Sequence, residues 1–371
     1  MKLLYVTSLS GKRINGFMRS AIVAAREQNI EFTMACNMEM ADAEGYAQDC
    51  RDYGIKAVHI DFDRNPLSPK NRLAYRQLLE LMKAEGFDLV HCNTPIGGVL
   101  GRLCAKKAGI PTVIYMAHGF HFWKGAPLKN WLLYYPVEWL LARDTDILIT
   151  ITKDDYALAK RLPAKAVRYV HGVGVDFNRF SARTSSDRNL ALRQQLGIPE
   201  DAPVLLSVGE LNSNKNHGAV IKAVESLEKD DLYYVICGEG ELRESYRREI
   251  ARAGLSHRII LAGFCQNIRE YYQMADYFVF PSLREGVPAA VMEAAASGLP
   301  VIASDIRGIR DVISEGGYRF DPRKEDEIAE KIKLLLNSNH TASVERNYAN
   351  LQPYAFDAVV AELAEIYKAL V

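Results

Sequence analysis

Six cysteines, at positions 36, 50, 92, 104, 237 and 265, include no C-x-x-C pair of the kind that zinc knuckles and dithiol redox sites use. A chain of 371 residues has no need of disulfide staples, so these read as reduced, mostly buried thiols of a cytosolic protein. No excess of either charge exists: Lys plus Arg is 46 and Asp plus Glu is 46. A polyanion binder carries a basic surplus, so this balance argues against nucleic acid as a main partner. No stretch of about 20 apolar residues could span a bilayer, and the longest candidate, Trp131 to Ala142, is interrupted by Pro136 and Glu138. The opening MKLLYVTSLSGKRING lacks the apolar core and small-residue cleavage site of a signal peptide, so the expected location is the cytoplasm. No strand is followed by G-x-G-x-x-G, which disfavours a nicotinamide or flavin cofactor, and there is no P-loop or Ser–His–Asp order.

What is present is a soluble globular composition, 49% apolar and 25% charged, in a chain long enough for two cores. Short β-branched runs alternate with longer helical ones. Leu3–Thr7, Glu31–Cys36, Lys56–Ile60, Leu89–Cys92, Thr112–Met116, Ile147–Ile151 and Val167–Val170 read as strands. Their apolar residues are continuous rather than alternating, the mark of strands covered on both faces, so the class is α/β with doubly wound parallel sheets. Near 181–189 the polar run SARTSSDRN suggests a hinge, after which the same grammar restarts with Val204–Val208, Tyr233–Cys237, Ile259–Ala262, Tyr277–Phe280 and Val301–Ala303. The expected domains are therefore residues 1–180 and 190–350, followed by a C-terminal segment, 351–371. Its helix, Phe356–Leu370, carries one apolar stripe (359, 360, 363, 366, 367, 370), so it must dock, and a return to the first domain is expected. Two such sheets place ligands at the C-terminal ends of their strands, in a cleft between them.

The most informative string is PSLREGVPAAVMEAAASGLPVIASDIRGIR, Pro281 to Arg310. A helix over about Val287 to Ser297 puts Glu285 at its mouth and Glu293 two turns inside, roughly 12 Å apart by helix rise. A carboxylate suits a ribose diol, and free N–H groups at Val287–Ala289 suit a diphosphate. Two glutamates alone also describe an ordinary solvated pair.

The whole string resembles the E-x7-E signature of the retaining family-4 glycosyltransferases of GT-B fold. SVGELNSNKNH (207–217), GEGE (238–241), LAGF (261–264) and FPSLREG (280–286) fall in that family's order. HCNTP (91–95), AHGFHFWKGAPLKNWLLYYP (117–136) and HGVGVD (171–176) look like its capsular, extracellular and O-antigen polysaccharide branch. The resemblance implies a ribose-binding role for Glu293, a place beside the donor sugar for Glu285 and His118, and diphosphate neutralisation by Lys215. It assigns Gly286, Val287, Pro288, Gly209, Gly263 and Phe264 to donor binding, and places Gly11 and Gly16 at a backbone approach to the diphosphate. His121 gains no such role. Glu210 departs from the pattern, standing where the family often has an arginine; Lys215, helix N–H groups or Arg284 then remain to meet the diphosphate.

The implied reaction moves a hexose or N-acetylhexosamine from a nucleotide sugar, UDP-linked, onto a polyprenyl-diphosphate-linked glycan. Retention needs no protein nucleophile, since the leaving phosphate can take the proton of the incoming hydroxyl while a closed site excludes water. No cofactor is implied beyond the donor itself. The Asp-x-Asp triplets, Asp61–Asp63 and Asp144–Asp146, are too short to signal a donor-bound metal, and none is expected. All three tryptophans, Trp123, Trp131 and Trp139, lie near Phe120, Phe122, Tyr134, Tyr135, Lys124 and Lys129. That mixture fits either a membrane-interface segment spanning Phe120–Trp139 or a helix buried on the first sheet. Two other functions share the architecture: a UDP-N-acetylglucosamine 2-epimerase, which needs no acceptor, and a non-catalytic glycan-binding scaffold.

Overall fold

The computed structural model describes residues 1–8, 11–14, 16–181, 186–227, 229–313 and 318–370. The chain forms two compact units, Met1–Gly174 with Phe356–Val371, and Val175–Ala355. The division thus precedes the polar run at 181–189, of which 182–185 lie outside the described residues. The reason is packing: Val175 and Phe180 are buried in the second unit's core, as are Leu351 and Tyr354. Val175 N–H donates to Tyr354 O at 2.9 Å, tying the two crossing segments of that unit together.

The first unit holds seven strands: β1 (Lys2–Val6), β2 (Glu31–Cys36), β3 (Lys56–His59), β4 (Leu89–Asn93), β5 (Thr112–Ala117), β6 (Ile147–Thr150) and β7 (Ala166–Tyr169). All are parallel, in the order β3-β2-β1-β4-β5-β6-β7. Every residue of β4 and β6 is buried, as continuous apolar runs require. The helix Phe356–Lys368 belongs to this unit. Its stripe Val359, Val360, Leu363, Ile366 and Tyr367 is buried, Tyr367 Oη lies 2.7 Å from His91 Nδ1, and Glu362 accepts the His171 N–H at 2.9 Å.

The second unit holds β8 (Val204–Val208), β9 (Tyr233–Cys237), β10 (Ile259–Gly263), β11 (Tyr277–Phe280), β12 (Val301–Ser304) and β13 (Tyr318–Phe320), in the order β10-β9-β8-β11-β12-β13. The three-residue β13 is absent from the sequence reading because Tyr-Arg-Phe is too short to show a period. In both sheets the strand order reverses beside the first strand, between β1 and β4 and between β8 and β11. Ligands of open α/β sheets bind at such points.

The Leu128–Ala142 helix turns three of its four aromatics inward and leaves Tyr134 exposed. Trp131, Tyr135 and Trp139 pack on the first core, where Phe120 and Phe122 are buried. Glu138 points the same way and accepts from Arg102 Nη1 at 2.5 Å and Nη2 at 3.1 Å. Trp131, Tyr135 and Trp139 thus take the buried alternative, whereas Tyr134 and the leucines face solvent. Among the described residues no helix is long and apolar enough to cross a membrane.

Candidate functional site

Two residues meet over the β8/β11 reversal. Lys215, from the loop after β8, donates through Nζ to Glu285 Oε1 at 2.8 Å, from the loop after β11. Their side chains are 22% and 15% exposed, and the ammonium lies 4.9 Å from the Phe280 ring centroid. Shielded from bulk water, this pair interacts more strongly than an exposed one.

The asparagines of NSNKN (212–216) hold the pair in place. Asn212 Oδ1 accepts the Lys215 N–H at 3.0 Å, and Asn214 Nδ2 donates to Arg284 O at 3.0 Å. Asn216 adopts φ +57°, a left-handed conformation asparagine tolerates, and its amide donates to Pro281 O and Pro322 O. One short loop thereby ties the ends of β8, β11 and β13 together. Gly209 lets the lysine stem cross it, since a Cβ there would stand 3.2 Å from Lys215 Cδ. Gly238 has no room for any side chain, because a Cβ would fall 1.9 Å from Gly209 O. Gly263 (φ +76°) ends β10, and Phe264 beside it is exposed.

The helix carrying Glu293 begins later than the sequence suggested, at Ala289, with Pro288 as its N-cap. Proline has no N–H, so the Pro288 donor expected for a diphosphate does not exist. Val291 N–H makes the first turn's bond to Pro288 O, leaving Ala289 and Ala290 as the leading amides. Glu285 and Gly286 consequently stand on a loop, and the 12 Å helix-rise separation from Glu293 does not apply. Glu293 accepts from the Tyr272 hydroxyl at 3.0 Å. Desolvation pushes its pKa up, against the Tyr272 bond and the charge of Arg179. Val287 packs on the core behind the loop.

The next connection braces this loop. Arg307 Nε donates to Glu285 O at 3.4 Å, and Gly308 approaches so closely that a Cβ would lie 1.3 Å from Gly286 O.

In the first unit, Thr94 after β4 has φ +61°, unusual for a β-branched residue and a mark of strain. Its Oγ1 accepts from Ser8 N–H at 3.0 Å across the β1/β4 reversal, and a Cβ on Gly97 would stand 3.2 Å from that nitrogen. His118, at the end of β5, lies 3.1 Å through Nε2 from Asn93 Oδ1, which as acceptor selects the Nε2–H tautomer. Gly11 is half-buried, and Gly16 opens the Gly16–Glu27 helix with free space around it; residues 9, 10 and 15 between and beside them lie outside the described residues. Both triplet aspartate pairs are engaged locally: Asp61 accepts from Gln77, Asp63 from Asn65 N–H, Asp144 from Lys106 and Asp146 from Lys165.

A family model described as "Glycosyl transferase 4-like" matches residues 2–152, and one described as "Glycosyl transferases group 1" matches 189–352. EpsD of Bacillus subtilis, named as a glycosyltransferase, is 42% identical over 274 residues, 72% of each chain. The chain belongs to the group 1, family-4-like glycosyltransferases. An Escherichia coli relative named UDP-Gal:alpha-D-GlcNAc-diphosphoundecaprenol alpha-1,3-galactosyltransferase is 31% identical over 275 residues, 71% of this chain and 70% of its own. Anabaena HepE, solved in complex with UDP and glucose, superposes with a TM-score of 0.80 at 19% identity over the full length of both chains, sharing the GT-B fold.

Within this glycosyltransferase the sequence reading missed Asn214, Asn216, Arg307 and Gly308. Their signals were present, an asparagine-rich loop after β8 and a glycine just after β12, but their partners lie far along the chain. His91 and His217 are buried and His118 is half-buried, and desolvation holds all three imidazoles below their ordinary pKa. His91 and His118 are pushed down to about 3, the second also by the first. His217 is pushed down to about 4 by burial and by Lys215. Unfolded imidazoles take a proton near pH 6.5 while these do not, so stability is full above that pH and falls as acid is added. The expected loss is about 1.4 kcal/mol per pH unit for each of the two buried histidines, His91 and His217, between pH ~6.5 and ~4. Urea unfolding across that window measures it; a flat profile contradicts the neutral, buried assignment.

Proposed function

We propose that this glycosyltransferase moves a hexose or N-acetylhexosamine, with retention, from a UDP-linked donor to a polyprenyl-diphosphate-linked glycan, without a metal ion. The observation that carries the reading is the Lys215–Glu285 pair at the β8/β11 reversal. As the glycosidic bond breaks, charge grows on the leaving diphosphate, and a fixed ammonium stabilises that state more than the ground state. Glu285 orients the ammonium and takes the donor sugar; Gly209, Gly263, Phe264, Gly286 and Val287 line the donor, with His118 as a further contact to its sugar. The Escherichia coli relative's name supports both the UDP donor and the diphosphate-lipid acceptor. Local ion pairs at Asp144 and Asp146 support the metal-free reading.

The test is UDP release from a panel of UDP-sugars with a short polyprenyl-diphosphate-linked acceptor, with and without chelator. Turnover on at least one donor that survives chelation supports the proposal; none on any donor overturns it. Glu293→Ala is expected to weaken UDP binding about tenfold, the loss of one or two hydrogen bonds to a charged group, with little change in the bound-state rate. Calorimetry with UDP measures this, and unchanged affinity removes the ribose role.

A further inference from the structure

We propose that Cys237 and Cys265 form a modification site: a hydroperoxide joins them in a reversible disulfide, and the link disables the donor site beside them. The effect on the donor rests on the function proposed above, whereas the link itself is read without donor or transfer.

The second sheet brings the two thiols together. Cys237 ends β9 and is buried in the core of that unit, 2% exposed. Its register partner is Gly263, the last residue of β10. Gly238 N–H donates to Gly263 O at 2.8 Å, and Cys265 Sγ lies 3.4 Å from that same oxygen. Gly263 turns the chain with its φ of +76°, and the Cys237 thiol donates to the Cys265 sulfur. Cys265 is half-buried and open to an oxidant, whereas Cys237 is closed to solvent. The bond from Cys237, joined by one from Tyr271, draws the Cys265 thiol down to about 7 against burial and the charge of Glu239. A large share of it is therefore the reactive thiolate at neutral pH. Burial and the bond to Cys265 push the Cys237 thiol up, so it stays protonated. The other four thiols lack this arrangement. Cys36, Cys92 and Cys104 are buried, and burial and Asp49 push half-buried Cys50 up.

The Cys265 thiolate attacks one peroxide oxygen, the O–O bond breaks, and the sulfur becomes a sulfenic acid as hydroxide leaves. The Cys237 sulfur then attacks the sulfenic sulfur. The S–O bond breaks, the S–S bond forms, and the Cys237 proton departs with the hydroxyl group as water. The first hydroxide takes up the proton that Cys265 had lost. Two thiols and one peroxide thus give one disulfide and two waters, and a dithiol reverses the step by exchange. The link reaches the donor site because both cysteines adjoin its backbone. Cys237 O accepts the Gly209 N–H at 3.0 Å, and Gly209 is the residue that the Lys215 stem crosses. Cys265 follows Gly263 and Phe264, which line the donor in the proposed function. Bonded sulfurs stand closer than hydrogen-bonded ones, and Cys237 is fixed within the sheet, so closure moves the Gly263–Cys265 corner.

The test treats the full, reduced chain with equimolar hydrogen peroxide, blocks the remaining thiols with a maleimide in denaturant, and identifies the peptides by mass. The expected result is a fall from six free thiols to four, with the Cys237 and Cys265 peptides linked and separated again by dithiothreitol. UDP affinity of the linked protein is expected to fall at least about tenfold, since a shift near 1 Å suffices for larger losses at a positioned site. Dithiothreitol restores it. Cys265→Ser is expected to keep wild-type UDP affinity both before and after peroxide. Cys237→Ala leaves the sulfenic acid without its partner, so dimedone labels Cys265 in that variant and not in the wild type. Thermal unfolding checks that both variants are folded. Peroxide that leaves both thiols free, carries Cys265 past the sulfenic acid unlinked, or joins two chains through it overturns the proposal. So does a linked protein that binds UDP as the reduced one does. Reduced protein that binds no UDP sinks the donor reading alone, and the linked peptide then still supports the disulfide.

Discussion

Replacing Lys215 with alanine is expected to lower kcat/KM for donor turnover by about two to three orders of magnitude, the usual consequence of removing one preorganised group from a developing anion. Two effects combine. The ammonium that meets the leaving diphosphate is gone, and Glu285, 15% exposed, loses the partner 2.8 Å away that compensates its charge. Asn214, 3.5 Å from the same carboxylate oxygen, is too distant to replace it. The two effects separate in a double variant. In Lys215→Ala with Glu285→Gln the orphaned charge is removed, so stability recovers toward wild type while turnover does not. Lys215→Arg is expected to recover only part of the rate, because a planar fork reaches differently from a point charge and the stem must still cross Gly209. Urea unfolding and UDP release on the same preparations distinguish the outcomes. Wild-type turnover in a folded Lys215→Ala protein would end the assignment of this lysine to the diphosphate.

The architecture was legible because parallel strands buried on both faces leave continuous apolar runs, as at Leu89–Cys92 and Ile147–Ile151. A parallel sheet with helical crossovers then follows almost without choice. The unit boundary was less legible. Polar composition reports solvent exposure, whereas the boundary depends on which core Val175 and Phe180 join. Glu285, Glu293 and Lys215 could be read because they sit in a string with a recognisable order. Their geometry could not, because the Lys215–Glu285 contact spans 70 residues of sequence. The Glu293 helix starts later than its apolar pattern suggests for a local reason: Gly286 and Pro288 delay it, and proline supplies no N–H. The Leu128–Ala142 helix shows a different limit. An apolar stripe reveals which way a helix turns only when the other face is polar. Here both faces are apolar, and the inward side is set by the Arg102–Glu138 pair and the fit of Trp131 and Tyr135 against Phe122.

Gly308→Ala is expected to lower turnover about a hundredfold, though residue 308 carries no reacting group. A Cβ there would stand 1.3 Å from Gly286 O, 2.3 Å from Gly286 C and 3.2 Å from Val287 N. All three are backbone atoms, so no rotamer relieves the clash and the Glu285–Val287 loop must move. That loop carries Glu285 to Lys215 and leads into the N-cap of the Glu293 helix, so its displacement disturbs both carboxylates together. A misplacement near 1 Å at a reacting centre is enough for a loss of about a hundredfold. Stability is expected to fall by about 1–3 kcal/mol, the usual penalty for adding a methyl group where none fits. Arg307→Ala provides the milder companion. It removes one 3.4 Å bond to Glu285 O without forcing the loop aside, so its effect on turnover falls well short of that of Gly308→Ala. Donor turnover and thermal unfolding of the two variants read the difference. If Gly308→Ala keeps wild-type turnover and stability, the close packing of the two connections does not position the loop.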